Sequence, residues 1–139
     1  MRQRLSDDPL AGLSLFAECT REELAIVSRL TEDVTVAAGT VLAREGAIAN
    51  QFFVLVEGRA VVTRGGETIG VLWPGEVFGD AALAVSGEHH FGLVADTESR
   101  LVVAGVRQFQ TLTSTIAPVT RALLANSSKR MRQLVDLAA

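Results

Sequence analysis

The sequence is poor in the residues that most specialised chemistries require. It has one cysteine, Cys19, in 139 residues. That excludes a disulfide framework or a Cys-rich zinc site within one chain, and points to a reducing compartment. There is no tyrosine, and His89 and His90 are its two histidines. If these neighbours lie on a strand they point to opposite faces, so they cannot both ligate one metal inside a barrel. A serine or cysteine nucleophile would need one of them within reach, and Cys19 lies in a leading helical region where a buried or half-buried thiol is the plain reading. The paired carboxylates Asp7-Asp8, Glu22-Glu23 and Glu32-Asp33 fall at helix ends and loops. The expectation is a protein that is not an enzyme and holds no metal. Positive charge is also scarce. The formal net charge of -3 lacks the basic footprint of a nucleic-acid binder, so DNA binding by the chain alone is not expected. No apolar run approaches the roughly 20 residues of a membrane span. Nor does an apolar stretch follow the arginines of the N-terminus, Met1 to Asp8, as a secretory signal would. A cytoplasmic location is expected, without a membrane partner.

What is present is a hydrophobic fraction of 48%, with charged residues at 21% and 12 glycines. This is the composition of a folded single domain able to bury a core. Residues 1–9 are polar and read as a flexible N-terminus, and 10–139 as one domain, with a barrel over about 31–105 and C-terminal helices over about 106–135. Leu10 to Phe16 has apolar residues for one short helical turn. Thr20 followed by Arg21-Glu22-Glu23 reads as an N-cap with its capping-box glutamate. Leu24, Val27 and Leu30, widened by Ile26, give residues 21–30 one apolar helical face. The period then changes to two. Val34 to Ala37, Val41 to Arg44, Gln51 to Glu57, Arg59 to Arg64, Glu67 to Trp73, Phe91 to Asp96 and Arg100 to Ala104 read as strands. Gly65-Gly66 is a hairpin signal and Pro74-Gly75 a turn. Short strands with glycine punctuation indicate a sandwich or barrel, not βαβ units.

From Val106 the period is helical again, with Phe109 and Leu112 on one face. Pro118 suits the first turn of a last helix, whose apolar residues are Leu123, Leu124, Met131, Leu134, Val135 and Leu137. Two readings of that helix stand open: a helix packed on the barrel with a loose tail, or a lid or dimer helix.

Between the strands lies Phe78-Gly79-Asp80-Ala81-Ala82-Leu83, followed by Glu88-His89-His90-Phe91-Gly92. A glycine leading into helix-compatible residues exposes backbone N–H groups that can hold a phosphate, and Asp80 can accept hydrogen bonds from a sugar hydroxyl. The plainer reading is a connection with one helical turn and a solvent-facing Asp80.

The order of elements and this stretch together resemble the cyclic nucleotide-binding domain family. The resemblance covers about residues 10–130. It rests on Leu42-Ala43-Arg44-Glu45-Gly46, Phe52 to Gly58, Pro74-Gly75-Glu76, Phe78 to Leu83, and Leu93-Val94-Ala95-Asp96-Thr97. It implies a mainly β fold with flanking α, a jelly-roll β-barrel with short N-terminal helices and a C-terminal helix. It also implies a phosphate-binding cassette. The family's pattern is Phe-Gly-Glu-x-Ala-Leu, then Pro-Arg-x-Ala-Thr/Ser. Here Asp80 replaces the glutamate, Glu88 the proline, His89 the arginine, Phe91 the alanine and Gly92 the hydroxyl residue. Histidine cannot reproduce the arginine's charged fork. Phe91, if it points inward, fills part of the pocket.

The resemblance implies a regulatory module with weakened affinity for cAMP or cGMP. Gly79, Ala81 and Ala82 would hold phosphate through backbone amides, Asp80 would take the ribose, His89 or His90 would supply charge beside Gly92, and Leu123 or Leu124 would cover the base. The alternative is a degenerate domain that works through protein contact or through a homodimer of the C-terminal helix.

Overall fold

The computed structural model describes residues 9–125. Met131, Leu134, Val135 and Leu137, the apolar end of the expected last helix, lie outside the described residues.

The chain enters through helix α1 (Pro9–Gly12) and a 3-10 turn, Ser14–Phe16. Helix α2 (Arg21–Leu30) follows. It starts where the capping box places it: the Thr20 hydroxyl accepts from the Glu23 N–H at 3.1 Å, and the Glu23 carboxylate accepts from the Thr20 N–H at 2.8 Å. Eight strands come next: β1 (Glu32–Val36), β2 (Val41–Ala43), β3 (Gln51–Glu57), β4 (Ala60–Arg64), β5 (Glu67–Leu72), β6 (Val77–Phe78), β7 (Gly92–Ala95) and β8 (Ser99–Gly105). Helix α3 (Val106–Thr115) and helical residues 117–125 complete the described chain.

The strands form two four-stranded antiparallel sheets, in the orders β1-β8-β3-β6 and β2-β7-β4-β5. The arrangement is jelly-roll-like, with two facing sheets in place of a closed barrel. Strand β6 was not foreseen. Its two residues pair Val77 with Val54 and Phe78 with Phe53, too short a run to show a period.

Two apolar clusters hold the fold. One lies between the sheets and includes Phe53, Leu55, Ala60, Leu72, Phe78, Leu93, Leu101 and Val103. The other lies under the helices and includes Phe16, Val27, Phe52, Val54, Val102, Phe109, Leu112 and Ile116. The first sheet is therefore buried on both faces, and this is why β3 reads as an unbroken apolar run instead of an alternation. Phe52 meets Phe109 edge to face at 5.1 Å and ties α3 to β3. Arg100 on β8 grips Asp33 on β1 with a two-pronged contact, Nε to Oδ1 at 2.9 Å and Nη2 to Oδ2 at 2.6 Å. That contact, with charge on both sides, pushes the Arg100 pKa further up. No helix of the described residues is long and apolar enough to cross a membrane.

Candidate functional site

Gly79 takes the chain out of β6 with φ +94°. A Cβ there would come within 2.8 Å of the Gln51 carbonyl oxygen and 3.2 Å of the Phe52 Cα. Glycine is thus required twice, by the backbone angle and by the close approach to β3. The chain then turns helically from Asp80, with the Leu83 N–H donating to the Gly79 carbonyl at 3.0 Å. It widens into a π turn over Ala82–Ser86 that ends in left-handed Gly87. Ala82 is buried and Ala81 exposed.

The chain returns along the β2–β3 loop. Ala49 donates to Gly87 at 2.8 Å, His89 to Ala47 at 2.9 Å, and Gly46 to the His89 carbonyl at 2.8 Å. Ile48 bridges to Glu88. This short ladder fixes His89. The residue is 6% exposed, and its imidazole stacks on Phe78 at 5.7 Å between ring centroids and lies with Cε1 3.5 Å from the Cβ position of Gly79. Burial pushes its pKa down, so the ring is neutral at neutral pH. Asp80 is 3% exposed and fully enclosed, where the plainer reading had it face solvent. It has partners within the fold.

Gly79, Asp80, Ala82 and His89 thus come together. His90, next to His89, is exposed. Gly92 opposes Thr63 on β4, and the Thr63 Oγ1 occupies the space a Cβ at 92 would need. A side chain at 92 would therefore collide with the Thr63 hydroxyl as it is placed here. Phe91 points inward and packs against the cluster between the sheets. Leu123 is buried in the helical cluster with Ile116 and Val119, whereas Leu124 is 64% exposed. Of the two leucines expected to cover a base, Leu124 is the one with surface to offer.

The sequence reading passed over Arg64. Ala60 and Val62 face the core between the sheets, and strand alternation carries Arg64 to the same side. Its guanidinium lies over the Phe91 ring at 5.7 Å from the centroid, within range of a cation–π contact. Counting by twos from Ala60 would have found it.

The site combines a glycine cradle, an enclosed carboxylate and a neutral imidazole, and the exposed Arg64 lies over the ring of Phe91, two residues beyond His89. A family model described as cyclic nucleotide-binding domain matches residues 33–115, more than half of the chain. No curated protein matches it. Among solved structures, cAMP-bound PfPKA-R superposes with TM-score 0.82 at 21% identity, over 94% of this chain and 45% of that one. The catabolite activator protein of Thermus thermophilus gives 0.77 at 24%, over 89% and 60%. The chain spans less than two thirds of both proteins, and at these identities they show the fold alone. The N-terminal domain of a transcriptional regulator from Streptomyces coelicolor gives 0.68 at 28%, over 95% of this chain and 96% of that one. With the family model spanning β1 to α3, this chain belongs to the cyclic nucleotide-binding domain family.

Proposed function

We propose that the chain is a non-enzymatic, regulatory ligand-sensing module whose cassette takes a cyclic nucleotide, cAMP or cGMP, with weakened affinity. The observation that carries this reading is the enclosed Asp80 beside the Gly79 cradle. Enclosing a carboxylate is costly unless it is hydrogen-bonded, and this one stands where the family meets the ribose. Backbone amides after Gly79 hold the phosphate. The weakening follows from His89. A neutral imidazole offers one donor, not a charged fork, and the loss of a charge-assisted hydrogen bond of about 1.5–3 kcal/mol lowers affinity roughly ten- to hundredfold. Arg64, over Phe91, is the cation on the inner side of β4 that partly makes up the deficit. The net charge of -3 supports a module that does not bind DNA by itself, and the cytoplasm is the compartment where such a ligand is met.

Phe91 favours a second reading. Its ring packs inward where the family keeps a methyl group, so the pocket is partly filled and the domain works by protein contact.

Calorimetric titration with cAMP and cGMP at pH 6 and pH 8 separates the two. Saturable binding, tighter at pH 6 as His89 gains its proton against the phosphate, supports the sensor. The Arg64→Gln variant is expected to bind several-fold more weakly. No heat at millimolar ligand sinks the sensor reading in favour of the second.

A further inference from the structure

The helices cover the outer face of the first sheet, through contacts of α3 with β3 and β8. The second sheet carries one apolar row on its outer face. The registers put Val41 of β2 opposite Val94 of β7, Val94 opposite Val61 of β4, and Val61 opposite Val71 of β5. Their strand neighbours Leu93, Ala60 and Leu72 point into the core between the sheets. The four valines therefore form one row across all four strands, pointing away from it. Val41 is 44% and Val71 37% exposed. Trp73, one residue past the inward Leu72, continues the alternation outward and is 53% exposed. An antiparallel sheet with one solvated face ordinarily carries polar residues there. A continuous valine row with a tryptophan at its end marks an interaction surface.

We propose that this face docks a second copy of the chain, the two sheets stacking face to face about a two-fold axis. Three features select this occupant. The row is uncharged, so it meets a second copy of itself across a two-fold without like-charge repulsion. Its rim carries both signs, in the exposed Arg59 and Asp96 just beyond the ends of β4 and β7, which pair at 2.6 Å. Under a two-fold, such a pair meets its own complement. The area also suits a reversible dimer. Four strands of three to six residues present a face of roughly 15 by 20 Å. With interdigitating side chains and the rim it approaches the low end of specific interfaces, about 600–800 Å² per partner. A dissociation constant in the micromolar range is expected. The proposal does not rest on nucleotide binding and holds without ligand.

The test is sedimentation velocity of the full chain from about 1 to 500 µM, read beside Trp73 emission, which is unambiguous because Trp73 is the single tryptophan. The expected result is a monomer–dimer equilibrium with a blue shift of Trp73 at the same midpoint. Val41→Glu and Val71→Glu, at exposed edge-strand positions, are expected to weaken the dimer at least tenfold while dilute samples keep the wild-type melting temperature. Hydrogen exchange on the wild type, needing no variant, should show β4 and β5 gaining protection with concentration. A monomer at all concentrations overturns the proposal. So does a dimer indifferent to both substitutions but lost on Leu134→Glu, which places contact in the C-terminal segment. A monomer whose Trp73 already emits as a buried indole overturns it as well, since the chain's own remaining residues would then cover the face.

Discussion

Where the family's cassette carries arginine, this chain buries an imidazole against Phe78 and the Gly79 backbone. The exchange alters two properties of the molecule. It removes a permanent cation from the phosphate position, and it makes stability depend on pH. Burial lowers the His89 pKa in the native state, so the unfolded chain binds the proton more readily. The His89 contribution to stability is whole above the unfolded value of ~6.5 and is lost as pH falls through it toward the lowered native value. The urea midpoint of the wild type should therefore fall between pH 7.5 and pH 5.5, and that fall should be smaller in His89→Gln. His89→Arg addresses the other property. Restoring the charged fork is expected to raise cyclic-nucleotide affinity roughly ten- to hundredfold and to flatten its pH dependence, both read by calorimetry. Restoring the hydroxyl by Gly92→Thr should not help, because Thr63 already fills that space.

Among the elements, α2 and the β1–β8 pair depend on identifiable side chains. The capping box of α2 satisfies two of its orphan N–H groups. Thr20→Ala is expected to cost about 1 kcal/mol, measured as a lower urea midpoint with an unchanged slope. The Arg100–Asp33 contact is a different case. It is largely out of water, with side-chain exposures of 13% and 8%. Asp33→Ala leaves the largely buried Arg100 guanidinium without its carboxylate, so it should cost about 3 kcal/mol, well above the value of an exposed pair. Glu57 also reaches Arg100, at 3.9 Å, but it is 72% exposed and offers only a weak, water-screened replacement.

The molecule as a whole is built around one sheet shared by two cores. Consecutive residues of β8 serve different clusters: Leu101 faces the core between the sheets, and Val102 faces the core under the helices. Both are wholly buried. Leu101→Ala should cost about 2–5 kcal/mol, and Val102→Ala somewhat less because fewer atoms are removed. In both variants a single transition should move, with circular dichroism and Trp73 fluorescence coincident. Two separated transitions would mean that the helical layer and the second sheet unfold independently.

Local patterns were legible from residues alone. The Thr20-to-Glu23 capping box, the Gly65-Gly66 hairpin and the glycine that opens the cassette at 79 are all encoded within a few neighbouring residues. Short-range sterics and hydrogen bonding decide them, so the sequence by itself determined most of the elements, and the cassette motif pointed to the family. What required the tertiary structure was which side of each strand meets what. Pairing with β3 makes a strand of Val77–Phe78, and the ladder from Gly46 to Ala49 turns His89 inward and leaves His90 in water. Thr63 and Gly92 are neighbours only through the β4–β7 register, and Leu123 is withdrawn from the pocket by the helical core. The same holds for the valine row: Val41, Val61, Val71 and Val94 are each an ordinary strand residue, and only long-range strand pairing makes them one surface.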